Sequence, residues 1–379
     1  MSLGKHIDGL VYYWSWNSSI FGGYLMFVPL VFLQILTPKF HRKAVDLVVN
    51  YWQYYVTTLL FRKKCAIRVT GDPIDSNEIS LVISNHRTRV DWNFLWPVMY
   101  HAVTGENRWW CSTKFVLKNS IRNIPGAGWV MQMAMYIFIN RNWDHDKAKL
   151  DDYIEYVKDN YYKHILILFP EGTDYCPQTK ASSDKFANAN GLPKYEHVLH
   201  PRSTGFVYLV DQMRENQCLD AVYDITLIYP DECPQNEEEL FLQGKFPKEV
   251  LAHIVKYPIK TLPVSKDDLK TFLEKRWKEK ESTIANFKKT GHFLQGKLLK
   301  HDEYLTLPWA YFTHLFWILV TGSLLTLIYL SNVYCYLVIG HIVSLYLMPM
   351  ITGLNMYKFR KKIFGLLPRV KEGNKCNRD

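Results

Sequence analysis

The chain has 379 residues, with 46 Lys and Arg against 36 Asp and Glu for a formal charge of +10. That length holds one sizeable domain plus membrane elements, or two modest domains. Residues 9–38 and 304–357 contain no Lys, Arg, Asp or Glu, which excludes a protein facing water throughout.

A hydrocarbon core about 30 Å thick takes about 20 helical residues to cross. The first uncharged stretch therefore fits one span, at residues 20–36, and the second fits two, at Leu307–Leu330 and 333–351. A hairpin held in one leaflet is the alternative for the first stretch, because Asn17-Ser18-Ser19 and Pro29 interrupt it. A cleaved signal peptide fits less well: Lys5 is the only early cation and no small-residue cleavage site follows. Next, Val45, Val48, Val49, Trp52, Tyr55 and Leu59 recur at helical spacing ahead of Arg62-Lys63-Lys64. This pattern suits a helix lying on the membrane surface and flooring a groove for lipid chains, or else an amphipathic helix packed in a core.

From Ser80 the pattern is α/β. Short apolar runs at 81–84, 136–139, 165–169 and 225–229 read as buried strands, separated by helical patterns such as 147–159 and 206–215. One sheet with helices packed around it follows. Residues 231–302 are more polar, with a charged helix expected at 266–289. The last stretch, 357–379, carries eight Lys or Arg and two Asp or Glu. A basic tail directly after apolar helices marks the cytosolic side and suits anionic headgroups. Nucleic acid is the other partner for a basic run, and the tail's position beside the spans argues for the membrane. Seven cysteines, at 65, 111, 176, 218, 233, 335 and 376, show no Cys-x-x-Cys pair and no zinc spacing. They suit free thiols in a reduced compartment and imply no structural metal.

The chemistry centres on Asn85-His86-Arg87-Thr88-Arg89-Val90-Asp91. A neutral imidazole accepts a proton from a hydroxyl, and a carboxylate on its other ring nitrogen fixes the tautomer and stabilises the imidazolium. Alone, this His-to-Asp spacing is weak evidence, but further polar motifs follow it. Arg141 closes one predicted strand, and Glu171, Gly172 and Thr173 follow another in Phe169-Pro170-Glu171-Gly172-Thr173. Both groups then meet at the carboxyl edge of a sheet, where open α/β folds place ligands. Arginine offers a forked donor to phosphate, a carboxylate accepts from a hydroxyl, and glycine admits close backbone approach. The plainer readings are a surface ion pair for Arg141 and a helix-start carboxylate for Glu171.

These motifs, with Ile137-Phe138-Ile139-Asn140-Arg141 and a later segment containing Pro201, stand in the order and rough spacing of the glycerolipid acyltransferase family. Asn85-His86-Arg87-Thr88-Arg89-Val90-Asp91-Trp92, residues 190–206 and Ile225-Thr226-Leu227-Ile228-Tyr229-Pro230 resemble its lysocardiolipin and lysophosphatidylinositol branch. The resemblance covers residues 81–230 and implies a glycerolipid-acyltransferase-like α/β sheet covered by helices, flanked by membrane helices. It also implies direct acyl transfer from a thioester to a hydroxyl, without an acyl-enzyme. His86 and Asp91 are then the base and its orienter, and Arg141, Glu171, Gly172 and Thr173 bind the glycerol and phosphate parts of the acceptor. Lys118 matches a family lysine near the phosphate site, with a solvated lysine as its plainer reading. Arg202 holds the acyl donor or closes the site. Arg87 and Arg89 face phosphate or pair locally.

The implied layout is an N-terminal membrane segment and interfacial helix at 1–62, an acyltransferase domain at 63–302, two transmembrane helices at 303–357 and a basic cytosolic tail at 358–379. The expected protein is an acyl-CoA-dependent lysophospholipid acyltransferase of the endoplasmic reticulum membrane. It is multi-pass, with its catalytic domain cytosolic and acyl-CoA as co-substrate in place of any cofactor. Its acceptor is lysophosphatidylinositol, lysocardiolipin or a similar anionic lysophospholipid, with 1-acylglycerol 3-phosphate as the alternative. The sequence sets no oligomeric state. A hydrolase is disfavoured for want of a Gly-x-Ser-x-Gly elbow, and a non-catalytic lipid binder because the base and its orienter are both present. Gly126-Ala127-Gly128 lacks the third glycine of a dinucleotide loop. His314 and His341 stand without acidic partners in apolar segments and suit helix packing.

Overall fold

The computed structural model describes residues 3–293 and 296–352, so the basic tail at 358–379 lies outside the described residues. In chain order, helices α1 (Leu3–Phe27), α2 (Val31–Leu36) and α3 (Pro38–Arg62) precede strands β1 (Ala66–Gly71), β2 (Ile74–Asp75) and β3 (Ser80–Ser84). Helix α4 (Asp91–Ala102), strands β4 (Val103–Thr104) and β5 (Ser112–Lys118), helix α5 (Ala127–Met133), strand β6 (Ile137–Ile139) and helix α6 (Trp143–Asn160) follow. Strand β7 (His164–Leu168) leads to α7 (Pro177–Ala189), α8 (Ser203–Glu215), β8 (Ala221–Ile228), α9 (Glu237–Phe241) and β9 (Glu249–Pro258). Helix α10 (Lys266–Thr290), β10 (Leu298–Leu299), α11 (Leu307–Leu330) and α12 (Asn332–Thr352) complete the described chain.

Eight strands form one sheet in the order β10-β1-β9-β8-β3-β7-β5-β6, and β2 pairs with β4 beside it. Strands β8, β3, β7, β5 and β6 run parallel, so their carboxyl ends share one edge. Both faces of these central strands are covered. In β3, Val82 packs with α1, α3 and α4, while Leu81 and Ile83 pack with α6, α8 and α10. In β7, Ile165 and Ile167 take the first side and Leu166 the second. Side chains alternate across a strand, so double coverage needs an unbroken apolar run, which these segments have.

Two expectations for the N-terminal region change. Helix α1 starts at Leu3, well before residue 20, and the apolar helical stretch extends over Leu3–Leu33. Asn17-Ser18-Ser19 does not break it, because the Ser18 and Ser19 hydroxyls donate back to the carbonyls of Trp14 (2.6 Å) and Trp16 (2.9 Å). Pro29 does leave its mark, as a short 3₁₀ turn at Val28–Leu30.

Helix α3 is a core helix rather than an open lipid-facing floor. Val45, Val49 and Trp52 are buried, and the Trp52 indole donates to Ser19 Oγ at 2.9 Å while meeting the Trp16 and Trp96 rings edge-on. Its polar face is buried too. Asp46 accepts from Tyr162 at 2.8 Å, Asn50 donates to the Trp109 carbonyl at 2.9 Å, and Gln53 donates to the Thr113 carbonyl at 3.2 Å. Lys114, fully buried in β5, lies 3.6 Å from Asp46. Burial pushes its ammonium down to about 7, and Asp46 opposes that shift.

Among the described residues, two helical stretches are long and apolar enough to cross a membrane, Leu3–Leu33 and Leu307–Leu330. Half of the most apolar 18-residue window of the first is buried within the protein, but only 17% of that of the second. Leu315, Ile318, Leu319, Leu325 and Leu330 therefore project outward from α11, and an apolar face of this size marks a membrane protein. One residue, Ser331, separates α11 from α12. Gly22 lets α1 and α11 approach: a Cβ there would lie 2.2 Å from Thr321 Oγ1. His314 and His341 serve packing, bonded to Tyr55 (2.7 Å) and Tyr24 (2.9 Å).

Candidate active site

The segment after β3 is wound tightly at the carboxyl edge of the sheet. Asn85 extends the sheet with its side chain, donating to the Leu227 carbonyl at 2.9 Å and accepting from the Leu227 amide at 2.8 Å. Beyond it, the Thr88 hydroxyl accepts from the Val90 amide at 3.0 Å, and Asp91 opens α4, where a helix N-terminus favours negative charge.

Asp91 is fully buried, and three donors converge on its carboxylate. His86 Nδ1 lies 2.9 Å from Oδ2, the Thr88 amide donates to the same oxygen at 3.1 Å, and the Tyr229 hydroxyl donates to Oδ1 at 2.7 Å. A carboxylate in this position selects the Nδ1–H tautomer and directs the Nε2 lone pair away from Asp91. The imidazole stacks on the Phe169 ring, with centroids 4.1 Å apart and planes 20° apart, and its side chain is 16% exposed. The ring is thus fixed in its plane at one nitrogen and open to a reactant at the other.

Glu171 sits differently from the sequence expectation of a carboxylate facing the acceptor. It is 3% exposed and already engaged. Oε1 accepts from the His86 amide at 3.2 Å and from the Trp277 indole at 3.1 Å, while Oε2 accepts from the Leu199 amide at 3.2 Å. Burial pushes the Glu171 carboxyl up to about 8, and these three donors oppose that rise. Its physical reason for facing inward is that it ties together three segments distant in sequence.

Gly172 has φ of +73°, and a Cβ there would lie 3.4 Å from Cδ of Arg202, so the exposed Arg202 side chain lies across the turn. The Arg202 amide also donates to the Pro170 carbonyl at 2.7 Å. Thr173 is half-buried and bonds to Asp174 at 3.4 Å. Lys118 ends β5 and Arg141 follows β6, and both are exposed. They share the carboxyl edge with His86 but stand two and three strands away, roughly 10 and 14 Å at the usual strand spacing. The structure therefore brings His86, Asp91 and Glu171 into one contact network, lays Arg202 on Gly172, and leaves Lys118 and Arg141 as a separate cationic pair along the same edge. Arg87 lies over the Tyr175 ring at 4.8 Å, and Arg89 pairs with Glu237 at 3.3 Å, so both make local contacts.

Tyr229, Phe169 and Trp277 were not among the expected site residues. Tyr229 and Phe169 stand in the motif strings themselves, one residue beyond β8 and one beyond β7. Nothing in the local sequence points to Trp277, which reaches the site only through the tertiary placement of α10.

The Acyltransferase family model matches residues 66–230, and the Acyltransferase C-terminus model matches residues 240–317. Lysocardiolipin acyltransferase 1 of Gallus gallus is 43% identical over 278 residues, covering 72% of this chain and 71% of its own. The lysocardiolipin acyltransferase 1 of Mus musculus is 40% identical over 323 residues, covering 83% and 84%. Lysophosphatidylinositol acyltransferase 10 of Caenorhabditis elegans is 38% identical over 272 residues, covering 71% and 68%. The crystal structure of PlsC, the 1-acyl-sn-glycerophosphate acyltransferase of Thermotoga maritima, matches with a TM-score of 0.47 and 17% identity, over 74% of this chain and 97% of that one. With the sheet, the motif order and relatives of this similarity in agreement, the chain is an acyltransferase and belongs to the glycerolipid acyltransferase family.

Proposed function

We propose that the protein transfers a fatty acyl chain from acyl-CoA to the free hydroxyl of an anionic lysophospholipid, with lysophosphatidylinositol and lysocardiolipin as the leading acceptors. The observation that carries this reading is the His86 ring, held at Nδ1 by Asp91 and open at Nε2 on the edge that also carries Lys118 and Arg141. The names of the relatives support a lysophospholipid acceptor.

In this mechanism Nε2 removes the proton from the acceptor hydroxyl as its oxygen attacks the thioester carbonyl. A carbon–oxygen bond forms, the carbon–sulfur bond breaks as the tetrahedral intermediate collapses, and the imidazolium returns the proton to the departing thiolate. Phospholipid and free CoA result, with no acyl-enzyme. Asp91 stabilises the imidazolium and keeps the tautomer correct. Tyr229 in turn holds Asp91. Arg141 and Lys118 bind the acceptor phosphate, Arg141 with its planar fork. Gly172, Thr173 and Arg202 border the reacting centre.

We also place the enzyme in the endoplasmic reticulum membrane, with the catalytic domain and the basic tail both cytosolic. Helix α11 and the shorter apolar helix α12, taken together as two spans, separate the two, and basic residues favour the cytosolic side.

Purified protein given acyl-CoA and a panel of lysophosphatidylinositol, lysocardiolipin and 1-acylglycerol 3-phosphate should form product best with the first two, resolved by mass spectrometry. His86→Ala should lower that turnover by about 10²- to 10⁴-fold, the usual contribution of a positioned base. Wild-type turnover in the variant would remove His86 from this role. Tyr229→Phe keeps the ring and deletes one donor to a buried carboxylate, worth about 1.5–3 kcal/mol. A fall in kcat on the order of tenfold or more is expected, with little change in either KM, and an unchanged kcat would show that Asp91 needs no such support. Arg141→Lys retains charge without the fork and should raise the lysolipid KM by about tenfold while sparing that for acyl-CoA. The opposite pattern would assign Arg141 to the donor. For orientation, protease sites placed after Asp379 and in the 231–265 region should both be cut from outside intact microsomes; protection of either rejects the arrangement.

A further inference from the structure

Helix α10 lies outside the segment that carries the motifs, yet it sends three neighbouring side chains toward the site. Trp277 is fully buried and donates its indole N–H to Glu171 Oε1 at 3.1 Å. Lys280, one turn on and 1% exposed, pairs with Asp224 of β8, donates to the Ile225 carbonyl and lies 3.3 Å from Thr226 Oγ1. Its ammonium sits 5.4 Å over the Trp277 ring. Glu281 accepts from the amides of Glu196 (2.7 Å), His197 (2.9 Å) and Val198 (3.2 Å), the loop whose next residue, Leu199, donates to Glu171. The helix is thereby fixed against the sheet on one side and against the 196–199 loop on the other.

The oxygen that accepts from Trp277 is the one that accepts from the backbone amide of His86. We infer that Trp277 is a positioning residue for acyl transfer: through Glu171 Oε1 it sets the backbone of His86, and so the aim of the imidazole. This rests on the reading of His86 as the base. Two donors on a single oxygen fix that oxygen's place between them. Removing the indole N–H frees the carboxylate to rotate, and the His86 amide loses its partner or follows it. Phe169 stacks on the ring and Asp91 fixes its in-plane rotation, while the main chain beneath is held at the His86 carbonyl by the Tyr175 amide (2.9 Å) and at the His86 amide by Glu171 Oε1.

The ionised form of Glu171 is the form that accepts from all three donors. The charged and titratable groups around it are His86 and Asp91 from the loop after β3, Lys280 of α10 with its partner Asp224 of β8, and Arg202 beside Gly172. Donors favour the ionised form, so losing one raises the pH at which Glu171 ionises. If the Trp277 bond acts on the base, kcat falls and its acid limb moves to higher pH. A residue that merely fills space leaves the limb in place.

The test compares Trp277→Phe with wild type in full-length protein, using acyl-CoA and lysophosphatidylinositol. The expected result is a kcat about tenfold lower, both KM values within about twofold of wild type, and an acid limb displaced upward by about one pH unit. Benzothienylalanine at position 277, which keeps the bicyclic shape and replaces N–H with sulfur, should reproduce the change, and it serves if the phenylalanine variant does not fold. Wild-type kcat in the benzothienylalanine protein, or a lower kcat with an unmoved limb, overturns the proposal. His86→Ala is measured beside them. If it remains active, the base reading fails with everything built on it; if it is inactive while the position 277 variants match wild type, only the role of Trp277 fails.

Discussion

Placing the carboxyl groups of Asp91 and Glu171 out of water is the constraint around which this site is organised. An isolated buried carboxylate is too costly to persist, so each must be surrounded by donors. Asp91 finds its donors nearby: the ring of His86, the amide of Thr88 and the hydroxyl of Tyr229 just past β8. Glu171 draws its donors from three separated parts of the chain, at His86, Leu199 and Trp277. The desolvation that raises the energy of a misplaced Glu171 thereby holds the loops after β3 and β7, the approach to α8 and helix α10 in one arrangement. His86 is common to both networks, through its ring in one and its amide in the other.

The sheet supplies the second requirement, a place where apolar and polar demands do not conflict. Parallel strands covered on both faces bury continuous apolar runs, and only their carboxyl ends reach the open edge. Tyr229, His86, Glu171, Lys118 and Arg141 follow or end β8, β3, β7, β5 and β6 respectively, which is their order across that edge. The edge thus passes from a hydroxyl, through an imidazole and a buried carboxyl group, to two exposed cations. A ligand with a reacting hydroxyl and an anionic headgroup matches that progression.

What could be read from the sequence divides along physical lines. Strands β3, β7 and β8 are buried on both faces and appear as apolar runs, and α6, α8 and α10 show helical periodicity; their positions matched expectation to within a few residues. Strand β9 did not appear, because Glu249, His253 and Lys256 interrupt its buried positions. Strand β5 was hidden by Lys114, whose burial makes sense only with Asp46 of α3 beside it. Helix α4 was hidden by Pro97 and by burial of nearly its whole length, which removes any amphipathic pattern. Within the site, the contact between His86 and Asp91 was legible because the two lie five residues apart, whereas the inward turn of Glu171 depends on a tryptophan 106 residues away.

The same separation of local from tertiary information bears on how the apolar helices relate to the chemistry. Tyr12 of α1 donates to Asn93 Oδ1 at 2.8 Å, and Asn93 lies in the first turn of α4, two residues after Asp91. Trp52 of α3 is bonded to Ser19 of α1 and packs on Trp96 of α4. Asp91 therefore opens a helix gripped by two others, one of which has half of its most apolar 18-residue window outside the protein interior. Exposing a lipid tail to water costs about 0.8 kcal/mol per methylene, so the long-chain substrates proposed above would be presented from a membrane rather than from solution. Helix α1 is hydrogen-bonded to the element that places Asp91. The seat of α1 against the domain and the position of the His86–Asp91 pair are therefore linked by a few buried contacts rather than by a flexible tether.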